Sequence, residues 1–343
     1  MAVDYAVIVV YLAGMLAMGW WGMRRAKSKS EFLVAGRRLG PWMYSGTMAA
    51  IVLGGASTIG GVGLGYKYGL SGAWMVLTIG LGLLALSVFF SARIARLKVY
   101  TVSEMLDLRY GGRAGMISGL VMWAYTLMLA VTSTIAYATI FDVLFDIDRT
   151  ASIVLAAALA AVMSTSSGAL IACATVANND IWSRLRGLTS RAAPEDGHDE
   201  VKGNRVFILA MGVAVIAIAI VLNDVVEALT VAYNLLVGGL LVPILGGLLW
   251  KRGTVQGALA AVGVGGVAVI GLMAAYGILA EEPVYYGLLA SLAVYVTVSL
   301  LTRPTDAAVL AHWRERLAGR GSDDDAPATA TATATPGQDA QAR

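Results

Sequence analysis

Apolar runs of bilayer length constrain this chain more than any other feature. Nine can be laid out in order: Tyr5–Met23, Pro41–Tyr66, Ser71–Phe90, Ala114–Leu144, Ala151–Ala177, Val206–Leu222, Val225–Trp250, Thr254–Ala280 and Tyr285–Leu301. A helix needs about 20 mostly apolar residues to cross the hydrocarbon core, and helices satisfy their own backbone there. The composition agrees, with 58% apolar and 14% charged residues, against about 45–50% and 25% in soluble domains. The expected fold is therefore all-α: a polytopic transmembrane helical bundle of about nine helices. The first run has no basic residue ahead of it, is followed by Arg24 and Arg25, and ends in no small-residue cleavage site. That is the reverse of a secretory signal, so it reads as a retained helix.

The charges give the orientation. With nine crossings, 23 of the 25 Lys and Arg residues fall on one side, and only Lys67 and Arg149 on the other. Basic residues concentrate in cytoplasmic loops, so the N-terminus is expected outside and the C-terminus in the cytoplasm, in a cytoplasmic (plasma) membrane. Residues 1–320 read as a single transmembrane helical domain. Residues 321–343, with Ala-Thr repeats at Ala328–Thr335, read as a disordered cytoplasmic tail that cannot bury a core.

Several function classes drop out. The basic residues are not interleaved with stacking aromatics, so no nucleic-acid partner is expected. Cys173 is the only cysteine, and His198 and His312 have no ligand partner at helical spacing. No set of nucleophile, base and orienting group is present. Gly61-x-Gly63 lies inside an apolar run rather than after a strand, so it is no dinucleotide fingerprint. The chain does not read as an enzyme.

The second run is unusual for its glycines: Gly54, Gly55, Gly60, Gly61, Gly63 and Gly65. Each glycine inside a helix costs about 1 kcal/mol relative to alanine. A break is expected between Leu53 and Ile59. Freed carbonyls at membrane depth are tolerated only when buried in protein or lining a cavity, and in secondary transporters such carbonyls coordinate coupling ions. The alternative is that the glycines only let helices approach closely. Further along, Thr101-Val102-Ser103-Glu104 is a capping box that opens a short amphipathic helix.

Several segments resemble one family. They are Ser30-Glu31-Phe32-Leu33-Val34-Ala35-Gly36-Arg37, Gly65-Tyr66-Lys67-Tyr68-Gly69, and Tyr100 through Gly111. To these add Ala160 through Ser167 followed by Asn179-Asp180-Ile181, and Val242-Pro243 through Thr254 followed by Gly257-Ala258. Together, and in this order, they resemble the sodium:solute symporter family. The resemblance implies a LeuT-like core of two inverted five-helix repeats. The chain departs from that pattern. It runs from what resembles the third core helix (Ala114–Leu144) directly into the eighth, with a junction near residues 151–160 and about four core helices missing. An even number lost preserves the charge asymmetry.

The resemblance also implies sites. Na⁺, the coupling ion, would be held by the carbonyls of Ala50, Leu53 and Ala161 and the hydroxyls of Ser164 and Thr165. A hard cation takes such oxygen ligands. The alternative is that Ser164 and Thr165 bond back to their own helix or join neighbouring helices. Val52, Gly54, Ala56 and Ser57 lie where the family's substrate contacts and gating groups arise, and Tyr137, Tyr125 and Ser133 would face the same cavity. Ordinary interhelical hydrogen bonding is the alternative for these three. The implied activity is sodium-coupled symport of a small organic solute. The alternatives are a transport-dead remnant and a self-associating membrane module. An open groove is expected between the 114–144 and 151–177 runs, with Thr126, Thr132 and Ser133 seeking partners on other helices.

Overall fold

A computed structural model describes residues 2–25, 31, 35, 38–160, 164–177, 181, 197–222 and 224–319. Each of the nine runs carries a helix among them, and no strand occurs among the described residues. The chain begins with α1 (Ala2–Arg25) and α2 (Pro41–Val52), where Pro41 occupies the first turn; there its missing N–H costs nothing. A π-helical turn, Ala56–Gly60, leads into α3 (Gly61–Tyr68), a 3-10 segment (Gly69–Ala73) and α4 (Trp74–Phe89). Gly69 takes a φ of 63°, which L side chains rarely adopt, and the chain doubles back there. Gly72 consequently lies against the backbone of Leu64 and Gly65 with no room for a Cβ.

Next come α5 (Ser91–Leu97) and α6 (Val102–Tyr110). The Thr101 hydroxyl accepts from Glu104 N–H at 3.0 Å. The Glu104 carboxylate reaches back to Tyr100 N–H at 2.7 Å, one residue earlier than the usual reciprocal bond. Then follow α7 (Gly112–Phe145), α8 (Arg149–Ala160), α9 (Ser164–Thr175) and α10 (Gly197–Leu222). The chain continues with α11 (Val225–Leu236), a second π-helical turn (Val237–Leu241), α12 (Val242–Leu249), α13 (Val255–Tyr276), α14 (Glu282–Leu301) and α15 (Ala307–Leu317). Asp224, Thr254 and Asp306 cap α11, α13 and α15 by accepting from first-turn N–H groups.

Among the described residues, five helical stretches are long and apolar enough to cross a membrane: 57–89, 113–145, 225–249, 255–276 and 282–301. The first of these contains the reversal at Gly69 and so includes parts of two runs. The apolar part of α10, Val206–Leu222, is shorter.

The bundle is organised around α7. In its most apolar 18-residue stretch 67% of residues are buried, against 6% in that of 57–89. Leu127, Ala130, Val131, Ile135, Ala138 and Phe141 on α7 form one core with Ile153 and Ala156 of α8, Ala169 and Cys173 of α9, Val215 and Ala219 of α10, and Ala228 and Leu229 of α11. The expected groove between the 114–144 and 151–177 runs is therefore closed. Small residues on α8 and α9 let them approach α7. The three α7 hydroxyls expected to seek partners on other helices find acceptors in their own. Thr126, Thr132 and Ser133 donate to the carbonyls of Met122, Met128 and Leu129 in their own helix, at 2.8, 2.8 and 3.1 Å. An i−4 carbonyl is always within reach in a helix.

A second core joins α6, α12, α13 and α14 through Leu106, Tyr110, Leu240, Val242, Ala261 and Tyr295. Gly265 of α13 lies against the Gly238 carbonyl with no room for a Cβ, the close approach that small residues permit between membrane helices. The Tyr110 hydroxyl donates to Pro243 O at 3.0 Å and lies 2.7 Å from the Tyr295 hydroxyl. Burial pushes the Tyr110 phenol well above its usual pKa, and the Tyr295 phenol beside it adds to the shift. It stays neutral and keeps its proton for Pro243.

Candidate functional site

The second apolar run is broken where the glycines cluster. Helix α2 ends at Val52, capped by Leu53 N–H donating to Ala49 O at 2.8 Å. Regular helix fails over Leu53 and Gly54 and resumes as the π-helical turn from Ala56. Two hydroxyls span the gap. Ser57 Oγ donates to Val52 O at 2.6 Å and to Gly54 O at 3.1 Å, while Thr58 Oγ1 donates to Gly54 O at 3.0 Å. Side chains three to five residues downstream thus bond the carbonyls at the break, as irregular backbone at membrane depth requires. Ser57 is buried at 8% exposure.

The break is pressed onto the centre of α7. A Cβ built at Gly55 would sit 2.5 Å from Ala136 Cβ, 3.5 Å from Tyr137 Cε1 and 3.7 Å from Ser133 O. Only glycine permits that approach. Beside the break lies a cavity of about 140 Å³ lined by Ile51, Val52, Gly54 and Ser57, by Ile79 of α4, by Tyr125 and Leu129 of α7, and by Leu229 and Tyr233 of α11. Among the described residues, no charged side chain lines it. Its polar groups are the Ser57 hydroxyl and the phenols of Tyr125 and Tyr233.

Of the residues expected at a solute site, Val52, Gly54 and Ser57 line this cavity together with Tyr125. Tyr137, buried at 8% exposure, packs on Gly55 instead. Ser133 turns its hydroxyl back to Leu129. Ile79, Leu129, Leu229 and Tyr233 were not legible as lining. Leu229 and Tyr233 are four apart and so share a helix face, but nothing in the sequence says that this face of α11 meets the break.

For the ion-site residues, α9 packs against α2, so the two segments that would share a cation are neighbours. Ala50 is exposed and the Leu53 side chain is 61% exposed. Ala161 lies outside the described residues, and so do the side chains of Ser164 and Thr165. The polar tail at 321–343 is likewise outside them. Among the described residues, no group of three or more His, Cys, Asp or Glu side chains could hold a metal ion. A cation here would have to bind neutral oxygens.

Known proteins place this geometry in context. The sodium:solute symporter family model matches residues 32–153 and 131–265. Sodium/proline symporter 2 of Staphylococcus saprophyticus is 36% identical over 98 residues, which are 28% of this chain and 19% of that protein. The sodium/proline symporter of Staphylococcus aureus is 35% identical over 98 residues, again 28% of this chain and 19% of the relative. The match therefore spans about a fifth of each curated relative's length. Among solved structures, a Na⁺-coupled sialic acid symporter in a substrate-bound, outward-open state superposes with a TM-score of 0.67 at 15% identity, covering 88% of this chain and 98% of that one. That likeness shows a common fold. The family match covers most of this chain, and the chain belongs to the sodium:solute symporter family.

Proposed function

We propose that this chain is a Na⁺-coupled symporter of a small organic solute, with solute and ion sites on either side of the break at Leu53–Gly54. The observation that carries the reading is the broken helix itself, which opens onto a hydroxyl-bearing, uncharged cavity at the centre of a family fold. Neutral oxygens suit a coupling ion, because they hold Na⁺ weakly enough to release it. Ala50, Leu53, Ala161, Ser164 and Thr165 are the proposed ligands, and the packing of α9 on α2 supports them.

The solute cavity is small and mostly apolar, with two phenols and one hydroxyl. It suits a compact solute that is neutral or zwitterionic overall. Backbone amides at the start of the second half-helix are suited to receive a carboxylate. Proline, named for the staphylococcal relatives, is of this class. The basic face is proposed as cytoplasmic, from the distribution of Lys and Arg.

A second reading is favoured by one observation. Helix α7 runs through only three residues into α8, and the family model matches in two pieces that overlap at 131–153, beside the junction expected at 151–160. A core shortened there lacks the second broken helix and would bind its ion and solute without moving them. Uptake by reconstituted vesicles separates the readings. Proline, other amino acids, sugars including sialic acid, and carboxylates are supplied with and without an inward Na⁺ gradient. Gradient-dependent accumulation of any one supports symport. Na⁺-dependent thermal stabilisation without accumulation supports the shortened, non-transporting form. Neither result would remove both.

A further inference from the structure

Outside the broken helix, Arg109 is a buried charge that the fold does not fully satisfy. It is 1% exposed, yet the groups it donates to are all main-chain carbonyls. Its Nε donates to Gly247 O at 3.3 Å, and its Nη2 to Trp250 O and Gly253 O at 3.3 Å and Lys251 O at 3.5 Å. The guanidinium also lies 4.9 Å from the Tyr110 ring centroid. This caps the C-terminal end of α12, where a cation is favoured by the helix dipole. It does not finish the side chain's needs. Arginine has five N–H donors and cannot shed its charge, and Nη1 is buried without a hydrogen-bond partner. An orphaned donor on a buried charge is costly.

Arg109 lines a cavity of about 140 Å³ together with Gly247, Trp250, Lys251, Trp313 and Arg314. Lys251 and Arg314 are exposed and sit at its rim, whereas Trp313 is 4% exposed and belongs to the wall. Among the described residues, no carboxylate lines it. Three cations from three separate segments (α6, the turn after α12, and α15) therefore converge on one hole. Two tryptophans flank them, on the face that carries most of the chain's basic residues.

We propose that this cavity binds the phosphate of an anionic lipid headgroup. Arg109 would supply the buried charge in the cavity wall, and Lys251 and Arg314 the exposed clamps. A phosphate held there would neutralise the buried charge, and the tryptophans would lie at headgroup level, where indole rings collect. Basic pockets between membrane helices recognise lipid phosphates in this way. The site lies apart from the broken helix and does not depend on the chain's ability to transport.

The test uses the purified full chain in neutral detergent. Thermal unfolding is followed while phosphatidylglycerol, phosphatidylcholine or glycerol phosphate is titrated in. Phosphatidylglycerol should stabilise the protein saturably. In Lys251→Gln/Arg314→Gln, the half-saturating concentration should rise by about tenfold to thirtyfold. Both side chains are exposed, so this variant should fold. In Arg93→Gln/Arg113→Gln, which removes two exposed charges that do not line the cavity, it should not change. Stabilisation by glycerol phosphate as well would show that the phosphate group suffices. Stabilisation by phosphatidylglycerol alone would show that the lipid tails are needed, and either result supports the site. Equal stabilisation by phosphatidylcholine, equal loss in the two double variants, or no saturable shift would overturn it.

Discussion

The contact between Gly55 and Ala136 is the tightest point between the broken helix and the bundle centre, and it yields a quantitative test. Gly55 has a right-handed helical backbone, φ −53° and ψ −35°, so alanine is compatible with its conformation. Space is what excludes a side chain, because the added methyl would meet Ala136 Cβ at 2.5 Å. That atom is fixed to a central helix and is fully buried, so it cannot swing aside. Overpacking of this kind costs about 1–3 kcal/mol, while glycine to alanine in a helix returns about 1 kcal/mol. Gly55→Ala should therefore destabilise by about 0–2 kcal/mol. Ala136→Gly should cost about 1 kcal/mol through helix propensity. In the double variant the methyl has moved from one helix to the other, the propensity terms cancel, and the overlap is gone. Stability should return close to that of the parent, which gives a favourable coupling of about 1–3 kcal/mol. Gly63→Ala is the control, since nothing lies within 4 Å of its added Cβ. The assay is equilibrium unfolding in mixed micelles by added denaturing detergent. Strict additivity of the two changes, or Gly55→Ala behaving like Gly63→Ala, would refute the close approach of the break to α7.

Three further outcomes are expected. Tyr110→Phe removes the side-chain donor to Pro243 O and strips the buried Tyr295 hydroxyl of its partner, and should cost about 1–3 kcal/mol; adding Tyr295→Phe should cost less than the sum of the single changes in the same unfolding assay. Ser164→Ala and Thr165→Ala should each abolish Na⁺-dependent thermal stabilisation while leaving the Na⁺-free transition in place, and survival of the Na⁺ effect in both would remove these hydroxyls from the ion site. Reporter fusions after Arg25, Lys98, Arg191 and Lys251 should all read cytoplasmic, and any one reading outside would sink the proposed orientation.

How much of this was legible in the sequence follows from the range of the forces involved. The break at Leu53–Gly54 and the cap at Thr101 are set by residues a few positions apart, and both lie where local chemistry puts them. The α7 hydroxyls depart from the expectation because their best acceptor is also local. A threonine in a helix has an i−4 carbonyl at hand whatever packs beside it, so Thr126 and Thr132 say nothing about neighbouring helices. Tyr233 entered the cavity unannounced because facing positions on α11 and α7 are a property of packing, not of either segment. The expected groove failed for a related reason. Ala156, Ala169 and Cys173 are small, and small faces close on one another in lipid. If the core has lost helices, the surface they once covered must lie elsewhere. No residue of α2 or α4 is buried, although Ala50 of α2 and its C-cap Leu53 would supply two carbonyls to the cation. The face left bare is therefore that of the broken-helix hairpin rather than the junction. Lipid or a second copy would then have to cover α2, and the Na⁺ affinity of the shortened core would depend on which of them does.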